Sequence, residues 1–167
     1  VDANDNLYVA DAEKGRIVVL NQNGKAAGRA DIGVGTLKNP LGVAVDSRGN
    51  IYVTDSALNQ LLIFEPEGTL ANIIQGDGTE KGKFVRPSGV LVNEGAGRIM
   101  VADTGNHRLQ VFDLKGNFMS FVGKSGGGKG QFRFPTFLAG DSNGKVYVVD
   151  TINSRIQIFS SNLKYLD

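Results

Sequence analysis

The sequence predicts an all-β fold built from one repeated sheet, and three observations carry that prediction. First, four stretches align without gaps: YVADAEKGRIVVL at 8–20, YVTDSALNQLLIF at 52–64, MVADTGNHRLQVF at 100–112 and YVVDTINSRIQIF at 147–159. Their aspartates Asp11, Asp55, Asp103 and Asp150 are spaced by 44, 48 and 47 residues, and Pro40, Pro87 and Pro135 keep step 15 or 16 residues ahead of the last three. Second, apolar runs are short, and no segment holds a helical period over two turns. Third, glycine is abundant, at 23 of 167 residues, while tryptophan is absent, a composition that suits many strands joined by tight turns. A period of about 40–50 residues with several strands in each unit describes the blade of a β-propeller.

The third unit shows the four strands most plainly. SGVLVN follows Pro87, and then come RIMVAD, RLQVFD and FMSFVG, each a short run rich in Val, Ile, Leu or Phe. Breakers separate them at EGAG (94–97), TGNH (104–107), LKGN (114–117) and SGGGKGQF (125–132). Alternation is imperfect, since Ile17-Val18-Val19-Leu20 is apolar throughout; a sheet wedged between two neighbours buries both faces and produces such runs. In chain order the four-stranded antiparallel blades are expected at about residues 1–38, 39–85, 86–133 and 134–167. Val1-Asp2 aligns with Val45-Asp46, where a first strand is ending, and Tyr165 falls 47 residues after Phe118, partway along a fourth strand. About four blades and fifteen strands are therefore expected, an incomplete ring. Exposed edges vanish only when such a ring is complete, so a fragment of a longer propeller is the expectation, and the alternative is a self-contained four-bladed ring missing one inner strand.

RIMVADTGNHRLQVFDLKGNFMSFVG (98–123) resembles a unit of the NHL-repeat family. The resemblance covers the whole chain in four copies; the second diverges most, with Leu58-Asn59-Gln60 where the third has Asn106-His107-Arg108. It implies a propeller, most often six-bladed, acting as a non-enzymatic scaffold that binds a protein or other macromolecular ligand on its loops. In tripartite-motif proteins of animals, similar propellers bind RNA with a basic face.

Asp103, His107 and Arg108 look like the start of an active site, but what recurs in every unit serves folding. Asp103 recurs as Asp11, Asp55 and Asp150; Arg108 recurs as Arg16 and Arg155, with Gln60 in the remaining copy. An aspartate leaving a strand accepts backbone N–H bonds in the next turn, and an arginine five residues later returns to it. Gly15, Asn59 and Asn106 supply residues tolerant of left-handed backbone there. His107 stands where the other copies have Gly15, Asn59 and Ser154. A lone histidine does not complete a His-rich zinc site, whereas the peptidyl-hydroxyglycine lyases, similar in repeat pattern, use several. No residue matches the cation ligands of the gluconolactonase and regucalcin group. No catalytic, metal or cofactor residue is therefore expected. The alternative is an enzyme of metal-dependent lyase or lactonase-like type, with its site partly in further blades. GKSGGGKGQ (123–131) nearly spells a phosphate-binding loop, but Gly130 follows Lys129 where Ser or Thr is required, and no helix follows. GDGTEKGKF (76–84) occupies the same place one unit earlier, so both read as linkers between blades.

Charge locates a candidate face. Connections two apart in an antiparallel sheet emerge on the same side, so the linkers share a face with the loops between second and third strands. Lys38, Lys81, Lys83, Arg86, Lys124, Lys129 and Arg133 against Asp31, Asp77 and Glu80 give the linkers +4; the loops carry −1, and the face +3. The opposite loops lean acidic. A basic face of this kind meets phosphates, acidic peptides or anionic glycans; RNA is a weaker match, because Phe84, Phe132 and Phe134 are expected as buried linker anchors rather than stacking platforms. Phe137 replaces the glycine of Leu41-Gly42 and Ser88-Gly89, and its ring is expected to narrow the channel mouth, contact a ligand there or repack against a neighbouring blade. The candidate interaction face is Lys81, Lys83, Arg86, His107, Lys124, Lys129, Arg133 and Phe137. Net charge is +1 overall. Cysteine is absent, which removes disulfides and thiolate metal sites and suits a bacterial periplasmic or secreted protein. No apolar run approaches the ~18 residues that span a membrane, so no membrane insertion is expected in this segment.

Overall fold

A computed structural model of the chain describes residues 1–27 and 31–167. Thirteen strands form among the described residues, in four antiparallel sheets whose strands follow chain order. β1 (Leu7–Asp11) and β2 (Arg16–Leu20) make the first sheet. The second holds β3 (Pro40–Val45), β4 (Ile51–Asp55), β5 (Gln60–Phe64) and β6 (Leu70–Gln75). The third holds β7 (Pro87–Asn93), β8 (Arg98–Asp103), β9 (Arg108–Asp113) and β10 (Phe118–Val122). β11 (Pro135–Gly140), β12 (Val146–Asp150) and β13 (Arg155–Phe159) make the fourth. These are the blades of a β-propeller, and among the described residues they do not close a ring.

The expected fifteen strands are two too many, and both differences lie at outer edges. In the first sheet the outer strand is reduced to the bridges Leu20–Ala26 and Ile17–Ile32; the middle of that expected strand, 28–30, lies outside the described residues. In the fourth it is the single bridge Phe159–Tyr165. Ala26-Ala27 offers little side chain to a pleated surface, whereas Leu70–Gln75 and Phe118–Val122 carry Ile and Phe.

Alternating side chains point to opposite faces, and each face packs on one neighbour. Tyr8, Ile17 and Val19 meet Ile51, Val53, Leu62 and Phe64 across the first seam. Tyr52, Leu61 and Ile63 meet Val90, Ile99, Val101 and Phe112 across the second. Met100, Leu109 and Val111 meet Val146, Val148 and Phe159 across the third. The central strands of the two middle sheets are thus buried, β4 along its whole length, while the outer strands β6 and β10 are largely exposed. The apolar run Ile17–Leu20 in β2 alternates instead, with Ile17 and Val19 buried and Val18 and Leu20 half-buried, because among the described residues its sheet has a neighbour on one side only.

The inner strands β3, β7 and β11 approach one another closely. A Cβ added to Gly42 would lie 2.2 Å from the Ser88 carbonyl oxygen, and one added to Gly89 would lie 2.6 Å from that of Thr136. Neither glycine has positive φ, so each is required for space and not for conformation. Hydroxyls stitch the same region. Ser88 Oγ donates to the Thr136 carbonyl at 2.7 Å, Thr104 Oγ1 donates to that of Pro135 at 2.7 Å, and Thr54 Oγ1 donates to that of Ser88.

Candidate interaction face

Asp103, at the end of β8, is wholly buried. Its carboxylate accepts from the Val85 N–H, Asn106 Nδ2, Arg108 Nε and Gln110 Nε2, all at 2.9 Å. Asp150 repeats the set with the Arg133 N–H at 2.7 Å, Asn153 Nδ2 at 2.8 Å, Arg155 Nε at 2.9 Å and Gln157 Nε2 at 3.1 Å. Asp55 also takes four donors but uses no arginine: they are the backbone N–H groups of Lys38, Asn39, Ala57 and Leu58. A carboxylate has about four lone-pair sites, so each of these three is saturated and has nothing to offer a substrate. The Asp103–Arg108 and Asp150–Arg155 pairs tie the linkers into the third and fourth sheets, and Asp55 holds the linker into the second without an arginine.

Gln110 and Gln157 extend the clamp. Gly82 N–H donates to Gln110 Oε1 at 3.0 Å while Gln110 Nε2 donates to the Lys83 carbonyl at 2.6 Å; Gly130 and the Gln131 carbonyl treat Gln157 alike at 2.9 and 2.7 Å. The strand pattern did not single these glutamines out, although the shared Arg-x-Gln of 108–110 and 155–157 carried the signal.

The turn then passes through left-handed backbone at Gly15, Asn59, His107 and Ser154, with φ of 59°, 53°, 56° and 51°. In the third unit this residue is His107 and not Asn106 as expected, because the reversal keeps one phase in all four units and Asn106 stands one position ahead of it, inside the short 3-10 turn Thr104–Asn106. Asn106 instead donates to Asp103 and to the Gly78 carbonyl. The side chain of the left-handed residue reaches the next unit. Asn59 Oδ1 accepts the Arg86 N–H at 2.7 Å, and His107 Nδ1 accepts the Phe134 N–H at 3.1 Å. Phe134 is half-buried. The imidazole meets its ring edge-on with centroids 4.5 Å apart, and the Arg86 guanidinium carbon lies 5.6 Å from its centre. The expectation of a buried anchor holds for Phe84 and Phe132, both wholly buried, and fails for Phe134. That residue occupies the place of Arg86, directly before the proline, where the side chain points outward.

The linkers share a face with these turns, to which Asn106, Asn153 and Arg155 bind them through the carbonyls of Gly78, Gly126 and Gly127. They are built alike, with parallel bridges Asp77–Phe84 and Ser125–Phe132, and β11 rather than a helix follows the glycine-rich one. Lys81, Arg86, Lys124, Lys129 and Arg133 are exposed here, and none forms an ion pair among the described residues. Lys83 is held by Glu80 at 2.7 Å. Lys81 lies 5.6 Å from the Phe118 ring centre and Lys129 5.8 Å from that of Tyr165. His107 and Arg86 converge on Phe134, whereas Phe137 stands apart on β11, 63 % exposed.

Acidic residues of the opposite loops are spent on turns. Asp113 accepts the Lys115 and Asn117 N–H groups and Asn117 Nδ2, each at 2.9 Å. The Asn117 side chain and backbone bonds hold its carboxyl below the ordinary value of 3.8. The Lys145 N–H does the same for Asp141, with Tyr147 and Asn143 assisting.

Segments 37–64, 84–112 and 132–159 match the family model described as NHL repeat, together just over half of the chain. The chain belongs to the NHL-repeat family. Each matched NHL segment begins at or beside a buried linker anchor, Leu37, Phe84 or Phe132, and closes at or beside Phe64, Phe112 or Phe159 on a third strand. No curated protein matches the chain. Solved structures share its fold at low identity. A streptogramin B lyase is 15 % identical with a TM-score of 0.75, over 99 % of this chain and 52 % of its own. A protein of unknown function from Bacteroides caccae is 18 % identical with a TM-score of 0.73, over 98 % and 62 %. A virginiamycin B lyase from Staphylococcus aureus is 12 % identical with a TM-score of 0.70, over 99 % and 52 %. The chain spans about half the length of the two lyases.

Proposed function

We propose that this NHL-repeat chain is a non-enzymatic interaction scaffold whose linker face takes an acidic segment of a protein partner. One observation carries this reading: three of the four recurring carboxylates, Asp55, Asp103 and Asp150, are buried and saturated, while Lys81, Arg86, Lys124, Lys129 and Arg133 stand exposed without an ion pair among the described residues. The face therefore presents uncompensated positive charge to solvent, which attracts and orients an anionic partner. His107 and Lys83 border this surface, and Phe137 offers a separate exposed apolar contact on β11.

The test is titration of a fluorescent polyglutamate peptide against the full chain. Binding is expected to weaken with salt and to fall about tenfold in the Lys124→Glu, Lys129→Glu, Arg133→Glu triple variant. Equal affinity in the triple variant sinks the proposal. Single-stranded RNA bound more tightly than the peptide, with a steep salt slope, points to RNA as the ligand.

The likeness to two lyases favours a second reading, an enzyme whose metal-dependent site is shared with further blades. Stoichiometric metal retained by the purified protein would support it.

A further inference from the structure

We propose that His107 is an acid-sensitive clasp between the third and fourth units. The Phe134 N–H donates to His107 Nδ1 at 3.1 Å, which requires Nδ1 to be bare and the ring proton to sit on Nε2. A protonated imidazole carries N–H at both nitrogens, so Nδ1 then faces the Phe134 N–H donor to donor, and the bond becomes a repulsion. The peptide it releases does more than close this contact. The Arg133 N–H donates to Asp150 at 2.7 Å, and the Thr151 and Ile152 N–H groups donate to the carbonyls of Phe134 and Arg133 at 3.3 and 3.1 Å. Residues 133–134 thus hold the aspartate turn of the fourth unit, and His107 holds residues 133–134.

Arg86, from the preceding linker, lies over the Phe134 ring, Arg108 follows His107 in the chain, and Arg133 adjoins Phe134. The carboxylates of the two turns, Asp103 and Asp150, are each saturated by four donors, with Arg108 and Arg155 among them. The second seam supplies a control within the same molecule. There Asn59 Oδ1 accepts the Arg86 N–H at 2.7 Å in the same geometry, and an amide oxygen does not titrate.

The experiment follows exchange of the Phe134 and Arg86 amides by NMR in the full chain from about pH 7.5 to about pH 5, corrected for intrinsic rates, while the imidazole titration is read from its own resonances. Protection of Phe134 is expected to fall about tenfold relative to Arg86 as the ring protonates. In His107→Asn, which copies the second seam, the two amides are expected to keep a constant ratio. Phe134 protection unchanged through the titration, both amides falling together, or equal acid loss in His107→Asn would each overturn the proposal. The comparison between the two amides needs no substitution, so it stands whether or not the variant folds.

Discussion

Single residues at the turns divide into those whose role repetition reveals and those whose role depends on where a turn reverses. Asp55, Asp103 and Asp150 were legible as scaffolding because they recur at fixed phase, and their burial with four donors each explains the recurrence. Asp103→Asn turns one acceptor into a donor among donors and is expected to cost about 3 kcal/mol or more by denaturant unfolding. Arg108→Gln, which borrows Gln60 from the second unit, leaves Asp103 three donors and is expected to cost only about 1–2 kcal/mol. His107 was legible as exceptional but not as a bond to the next unit, since sequence period does not show that its backbone is left-handed. The half-buried carboxylates Asp113 and Asp141 of the opposite loops give a pH effect of definite sign. Asp113 and Asp141 are held below their ordinary value in the folded chain. Their stabilisation is therefore complete above that value and is lost as pH falls through the folded one. Asp141→Asn is expected to flatten the pH dependence of the thermal midpoint below about pH 4.

Strands were read well wherever β-branched or aromatic residues filled the run, and poorly where the outer edge thinned to alanine and isolated bridges. The inner strands show what pattern alone conceals. Gly42 and Gly89 each stand two residues after a proline, Pro40 and Pro87, yet only the packed structure gives the reason, the carbonyl oxygens of Ser88 and Thr136 2.2 and 2.6 Å from a would-be Cβ. Gly89→Val is expected to destabilise by about 1–3 kcal/mol or more, because rigid backbone lies in its way. Phe137→Gly on β11 is expected to change stability by less than about 1 kcal/mol, since the ring is 63 % exposed. A large loss in chemical denaturation would remove Phe137 from the candidate face and make it a packing residue.

Across the whole molecule, stability is spread along a line of seams, each made by adjacent sheets alone. Architectures of this kind gain stability unit by unit from nearest-neighbour contacts. A chain shortened after Arg133 uncovers Met100, Leu109 and Val111, now buried against the fourth sheet. It is expected to melt earlier than the full chain and to bind more of an apolar-surface dye; an unchanged midpoint would show that the seams do not add. The architecture was the most legible feature of all, because four copies in register leave few folds to consider. The candidate face was only partly legible: charge counting nominated it, but the saturation of the buried carboxylates beside it came from geometry.

Since the partners across every seam hold equivalent positions in their own sheets, the three joints are interchangeable in kind. A crossover between gene copies at matching phase, for example near Asp55 in one and Asp103 in the other, regenerates a valid joint while adding or dropping one module. Such a protein can change length by duplication without inventing a new contact.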